Sequence, residues 1–468
     1  MKKSLLFAVA VLALAACSKV SLEIEDGVID ASKLVFNIDV QNVNATKGVK
    51  TVWEDGDDVY VFFEDNTTQY VKMTYNGTSW TYADKDGGST FTDLTLAASG
   101  KKLSAVYMPD FVCSAAPTYD TDKWTFGAIQ GYFQKAEAVS YTVTSTDDVN
   151  TLNATINLAA PARISQIFVP TTEYAALGSG EEYVLTATHL IQFNFSGIVP
   201  GGNAEYGTTY NGFPLTAHAG SLGGDTGLYF WGILEGAGTY DFDFQLVKQN
   251  AVNKYAISSQ FKSVTDKTVG SNFAAKLTGL TDRGRFVSLG YAGGPLWATG
   301  NLDKTNHTIV DPLAAGEYFM YGYTTPYNSS DSRYMGEESP LGTAKDAAYQ
   351  VNNDWHIPTK AQLDALISVT NTTAARKTGW TTIGGDNSGY LITSKVNGIS
   401  LFFAAAGYYN WSFHDAGNRG LYWSSTPASD GGYDPYTQCA FLMRLDSYGI
   451  QTEDTERVYG SSIRPVQN

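Results

Sequence analysis

Residues 152–158, LNATINL, alternate without a fault: Leu152, Ala154, Ile156 and Leu158 fall on one side, Asn153, Thr155 and Asn157 on the other. Successive side chains of a strand point to opposite faces, so this period of two describes a strand with one buried and one wetted face. The same pattern recurs outward from it. Val59 to Phe63, Tyr70 to Tyr75, Tyr183 to Ala187 and Ile191 to Phe195 are short apolar runs, and Phe242, Phe244 and Leu246 alternate with Asp241, Asp243 and Gln245. Asp55-Gly56-Asp57 and Asn76-Gly77 lie between such runs and supply the positive φ of tight turns. The chain reads as mostly β.

One stretch breaks the pattern. In WHIPTKAQLDALI, residues 355–367, Thr359 followed three positions later by Gln362 makes a capping box, and Leu363, Leu366 and Ile367 recur at helical spacing. A capped amphipathic helix among strands marks the start of a different kind of domain nearby.

Composition sets the outer bounds. The 468 residues are 43% hydrophobic and 17% charged, with 13% aromatics led by 30 Tyr, and with 46 Gly, which suits many short strands and turns rather than helical bundles. The formal charge of -16 repels phosphate backbones and anionic surfaces, so no nucleic-acid partner is expected. From Arg283 onward the chain holds 13 basic and 17 acidic residues, leaving most of the negative charge to the part before it. Breaks near residues 160 and 282 divide the chain into a leader at 1–17, a linker or first strand at 18–50, β domains at 51–160 and 161–282, and a final domain at 283–468.

The leader has Lys2 and Lys3, an apolar run from Leu5 to Ala16, and Leu14-Ala15-Ala16-Cys17. The run is too short to span a bilayer. Its end resembles a bacterial lipobox, which implies that the Cys17 thiol is acylated and that the mature chain begins there, exported through the periplasm to the outer membrane or cell surface. Cys113 and Cys439 lie far apart and support no disulfide framework.

Asn44-Ala45-Thr46-Lys47-Gly48 and Thr51-Val52-Trp53-Glu54-Asp55-Gly56-Asp57-Asp58-Val59-Tyr60-Val61-Phe62, together with the lipobox, resemble the fimbrillin family of Bacteroidetes type V pili. The resemblance implies two transthyretin-like β-sandwich domains and assembly with a pilus stalk subunit by strand donation. Stalk fimbrillins mature by an arginine-directed cut, yet no Arg precedes Arg163 here. Either Lys47 is the cleavage site or the first strand stays in place.

The final domain carries five of the nine Trp. Its segments Leu296 to Leu302, Gly316 to Tyr327, Trp355 to Lys360, Ala404 to Tyr408, Tyr422 to Thr426 and Ser462 to Val466 resemble, in order, the Fibrobacter succinogenes major paralogous domain, related to C-type lectin-like folds and to the formylglycine-generating enzyme. That implies an α+β head whose first and last strands, Phe286 to Leu289 and Ser462 to Val466, pair. The expected fold class is therefore two β-sandwiches followed by an α+β C-type lectin-like domain.

No catalytic set is legible. The five His are isolated, no G-x-S-x-G elbow occurs, and the head has one cysteine where the formylglycine-generating enzyme relies on redox-active cysteines. Neither a Glu-Pro-Asn nor a Trp-Asn-Asp tripeptide of the calcium lectins is present. The chain is read as a non-enzyme without cofactor or metal. What remains is an aromatic and polar loop set, from which Tyr409, Trp411, His414, Asp415, Asn418 and Tyr433 are the candidate ligand-binding residues, since flat rings stack on sugars or peptide side chains while polar groups fix orientation. The reading is an adhesive tip subunit of a type V pilus that binds a glycan or host surface protein. The alternative is an outer-membrane glycan-binding lipoprotein outside any pilus.

Overall fold

The computed structural model describes residues 34–42, 52–63, 66–83, 102–107, 134–146, 149–158, 164–193, 205–206, 214–270, 274–331, 340–428 and 439–467. They are mostly strand, as the alternation requires, and fall into two compact units, the first within residues 1–161 together with 195–204, the second comprising nearly all of the rest.

In the first unit, a five-stranded antiparallel sheet runs in the order Trp80–Ala83, Asn66–Tyr75, Asp58–Phe63, Lys102–Tyr107, Gln134–Ser140. A second sheet places Val149–Leu158 between Leu34–Asn42 and Thr142–Thr146. Leu152, Ala154, Ile156 and Leu158 are buried against Val59, Val61, Val71 and Leu103 of the first sheet, while Thr155 and Asn157 face outward. The two sheets thus close a sandwich over one apolar core. Leu34–Asn42 lies parallel to Val149–Leu158, in register from Leu34 opposite Asn150 to Asn42 opposite Leu158. At the hairpin after Tyr75, the Asn76 side-chain oxygen accepts from the amides of Thr78 and Ser79, and Gly77 takes φ +83°.

The second unit begins with another β layer pair. Ile164–Pro170, Glu181–Ala187, Leu190–Phe193, Leu215–Leu222, Asp225–Leu234, Gly238–Asn250 and Ala256–Val269 belong to one hydrogen-bonded sheet curled around a core that includes Ile167, Leu185, Phe230, Phe244 and Leu246. Residues 286–467 follow with short sheets. Gly420–Pro427, Cys439–Asp446 and Gly449–Glu456 form the strongest, and Thr372–Lys377, Gly389–Ser394 and Ser400–Ala404 another.

The helix is Lys360–Ile367, and its capping box is complete: the Gln362 amide donates to Thr359 Oγ1 at 3.2 Å and the Thr359 amide to Gln362 Oε1 at 2.8 Å. Leu363 and Leu366 enter the core, Ile367 half-buried beside them. Its outer face is held by Lys360–Asp364, 2.6 Å apart, and by Thr452, whose hydroxyl donates to Asp364 at 2.6 Å. The expected pairing of the first and last strands of this region is corrected. Phe286–Ser288 pairs with Leu296–Ala298, and Val466–Gln467 adds to the far side of Leu296–Ala298. A local hairpin closes a shorter loop than the long-range pair would, so Leu296–Ala298 becomes the central strand and separates the first strand from the last.

Residues 281–285 are more than a polar break. Thr281–Asp282 pairs with Gln260 and Phe261, and the Arg283 amide donates to Ser259 O at 3.0 Å. The core that receives Leu363 and Leu366 also contains Val184, Val247 and Ala256 of the preceding β layers. Gln245, at an outward position of its strand, is only 3% exposed because Ser288 covers it: Gln245 Oε1 accepts from the Ser288 amide at 2.6 Å and Nε2 donates to the Ser288 carbonyl at 3.1 Å. This two-way bond crosses the seam between sandwich and head.

Candidate functional site

The loop residues singled out above surround a small hairpin, Tyr408–Asn410 paired with Ser412–His414. Gly407 opens it at φ +79°, where a Cβ would lie 2.7 Å from His414 O and 2.8 Å from the Phe413 ring. Asn410 faces Ser412 in register, so Trp411 alone forms the turn, at φ +59°. Its amide donates to Tyr327 Oη at 3.2 Å. A bulky residue in the left-handed region is strained, and this one is also 77% exposed, with Phe413 beside it at 42%.

Behind the tip stands an aromatic stack. Tyr409 lies parallel to Tyr327 at 4.9 Å and 20°, meets Tyr318 edge-on at 5.2 Å, and touches Phe413 at 4.9 Å. Its backbone exchanges two 2.9 Å bonds with Gly460. Gly460 has no room for a side chain, since a Cβ would lie 2.6 Å from the Tyr327 ring. Burial pushes the Tyr318 phenol up, and its hydroxyl donates to Ala406 O. Edge-on and offset ring contacts of this kind hold a hairpin rigid without a disulfide.

The other candidates are placed differently. His414 stacks on Tyr408 at 5.5 Å, and its Nε2 lies 2.9 Å from Ser412 Oγ and 3.2 Å from Asn410 O, so the ring braces the hairpin. Asp415, at φ +54°, accepts through its carbonyl from the Asn418 and Arg419 amides and pairs with Arg419 at 3.2 Å. Exposed Asn418 accepts from the Asp386 amide at 2.9 Å, tying this loop to residues 384–388. Trp411 therefore offers a free ring, Tyr409 supports it, and His414, Asp415 and Asn418 shape the loops. Tyr433, Cys17 and Lys47 lie outside the described residues. Tyr327 and Phe413 join the site although the candidate set omits them. The signal for Phe413 was present, since 409, 411 and 413 are alternate aromatics, whereas Tyr327 is more than eighty residues away and only the fold brings it there.

His356 stacks on Tyr349 at 5.6 Å, its ring 3.9 Å from the buried Asp346 carboxylate. Desolvation raises Asp346 above the ordinary carboxylate range although it accepts from the amides of Ile357, Tyr349 and Ala348.

Residues 1–18 match the model of the prokaryotic membrane lipoprotein lipid attachment site, which places Cys17 within a recognised acylation signal. No curated protein matches the chain. Among solved structures, similarity is found to a fimbrial protein from Bacteroides ovatus (9% identity, 95% of this chain and 99% of that one, TM-score 0.19). It is also found to a candidate cell adhesion protein from the same species (14%, 53% and 94%, TM-score 0.25), and to the fimbrial anchor protein Mfa2 from Porphyromonas gingivalis (12%, 50% and 82%, TM-score 0.21). Superpositions this loose leave the functional reading to the chain's own residues.

Proposed function

We propose that the chain is a surface lipoprotein of fimbrillin type, acting as the adhesive tip subunit of a type V pilus, with residues 283–468 as a lectin-like head that engages a glycan or host surface protein. The lipid attachment signal at residues 1–18 supports membrane anchoring through Cys17. One observation carries the adhesive reading: Trp411 sits strained and 77% exposed at the tip of a hairpin that a stack of half-buried aromatic rings keeps rigid. Strain and exposure of a large ring both oppose folding, and a binding role accounts for their retention. No catalytic role is assigned.

A second reading, a glycan-binding lipoprotein outside any pilus, is favoured by the seated first strand. Leu34–Asn42, which precedes Lys47, is paired along its whole length. A chain that keeps this strand has the edge of Val149–Leu158 that it occupies closed to a donated strand.

The test combines adhesion with localisation. Trp411→Ala on whole cells should abolish most adhesion at unchanged surface display, and antibody against the head should label pilus tips in electron micrographs. Adhesion that persists in the variant overturns the binding role, and label on the cell body alone selects the second reading.

A further inference from the structure

The seam between the second sandwich and the head is not fully packed. On one side lies an outward sheet face, where Thr186 pairs with Gln245 and Gln245 with Phe261 across three strands. Polar side chains on such a face cannot make an apolar core, so where the head covers them an open cleft of about 280 Å³ remains. Thr186, Asp243 and Phe261 line it from the sandwich, and Ser288, Tyr291 and Asn397 from the head. Gln245 stands across it as a strut.

Several lining groups keep hydrogen-bonding capacity. Asp243 Oδ1 accepts from Ser263 at 2.6 Å, and its second oxygen is uncommitted. Ser288 Oγ accepts from the Gly290 amide at 3.0 Å and Thr186 Oγ1 from Gln245 at 3.5 Å, which leaves both hydroxyl protons to give. Asn397 is already bonded through its Nδ2 to Ser288 O and through its oxygen to the Ile399 amide, so it fixes the wall. The cleft thus presents one carboxylate acceptor, two hydroxyl donors and two aromatic rings. Among the described residues, Asp243 is its sole charged side chain.

We infer that this seam cleft is a binding site for one neutral pyranose unit of a surface polysaccharide, separate from the Trp411 hairpin. A pyranose has an apolar face to lay on Phe261 or Tyr291 and adjacent hydroxyls that give their protons to a carboxylate. The volume lies near the lower end of the range of ligand pockets and suits a single ring. A carboxylate without a facing cation repels uronates, sialic acids and phosphosugars, which restricts the class to neutral sugars.

Saturation-transfer NMR and calorimetry on the full chain test this, with the methyl pyranosides of glucose, galactose, mannose and N-acetylglucosamine, and with glucuronate and spermidine for comparison. At least one neutral pyranoside should bind, and Asp243→Ala should weaken it about tenfold or more, as loss of a hydrogen bond to a charged group does. Asp243 is exposed, and Asp243→Asn, which retains an acceptor for Ser263, guards against a folding defect in the alanine variant. Trp411→Ala should leave this binding unchanged, which separates it from the hairpin. Absence of binding by every neutral pyranoside, equal binding by Asp243→Ala and by the parent, loss of pyranoside binding in Trp411→Ala, or binding of spermidine alone would each overturn the assignment.

Discussion

Trp411 is where side-chain identity and backbone geometry disagree most. At φ +59° any residue with a Cβ is strained, whereas glycine is not. Trp411→Ala keeps that strain and loses only an exposed ring, so its melting transition should stay nearly unchanged while binding falls by about 2 kcal/mol or more, as for a central aromatic anchor. Trp411→Gly relieves the strain and should be more stable than Trp411→Ala by up to about 1 kcal/mol, with binding equally lost. Chemical denaturation of the two variants checks this, and an alanine variant as stable as the glycine one would mean that the turn is not left-handed in solution. Arg464 is the opposite case, a guanidinium wholly buried with no carboxylate paired to it among the described residues. It donates to Ala298 O at 3.3 Å and Phe402 O at 2.8 Å and lies 4.2 Å from the Phe403 ring centre, and burial lowers it to about 10. Nothing local in Ser462-Ile463-Arg464-Pro465 announces that burial, because the two carbonyls and the Phe403 ring that receive the cation come from two distant segments.

At the scale of elements, what is written locally could be read and what depends on distant partners could not. The helix is legible because Thr359, Gln362 and Leu363 carry its cap and its buried face within five residues. Thr359→Ala should therefore lower stability by about 1 kcal/mol in denaturant titration. The strand 152–158 is legible for the same reason, through its period of two. Its parallel partner Leu34–Asn42 is not, because more than a hundred residues separate them and either edge of a strand can accept a partner. The turn at Trp411 was legible only as a loop, since neither glycine nor asparagine marks its left-handed residue. A further element-level prediction concerns the loop 346–357, which the Asp346 carboxylate gathers through three backbone amides. Burial raises its folded pKa above the unfolded one. Its contribution is then fully present below the unfolded value and is lost as pH rises through the folded one. The stability of the parent relative to Asp346→Asn should fall with rising pH across the acid range, and a gap that widens instead would reverse the sign of the shift.

At the scale of the second unit, the composition break near residue 282 and the physical boundary part company. The charge balance and the Trp content change there, yet Val184, Val247 and Ala256 pack into the same core as Leu363, Leu401 and Phe403. A contiguous core is lost cooperatively, so sandwich and head should open together rather than in turn. In native-state hydrogen exchange on the full chain, the amides of Glu181–Ala187 and Gly389–Ser394 should therefore share one opening free energy. Gln245→Ala sharpens the test. It removes a side chain that satisfies both the amide and the carbonyl of Ser288, and a buried pair left unmade costs about 1–3 kcal/mol, less where the neighbouring cleft lets water reach it. If the two parts form one cooperative body, that loss lowers protection equally on both sides of the seam, and proteolysis at residues 282–285 liberates no stable head. A head that keeps full protection while Glu181–Ala187 exchanges freely would show instead that the shared core is incidental, and that residues 286–467 fold on their own.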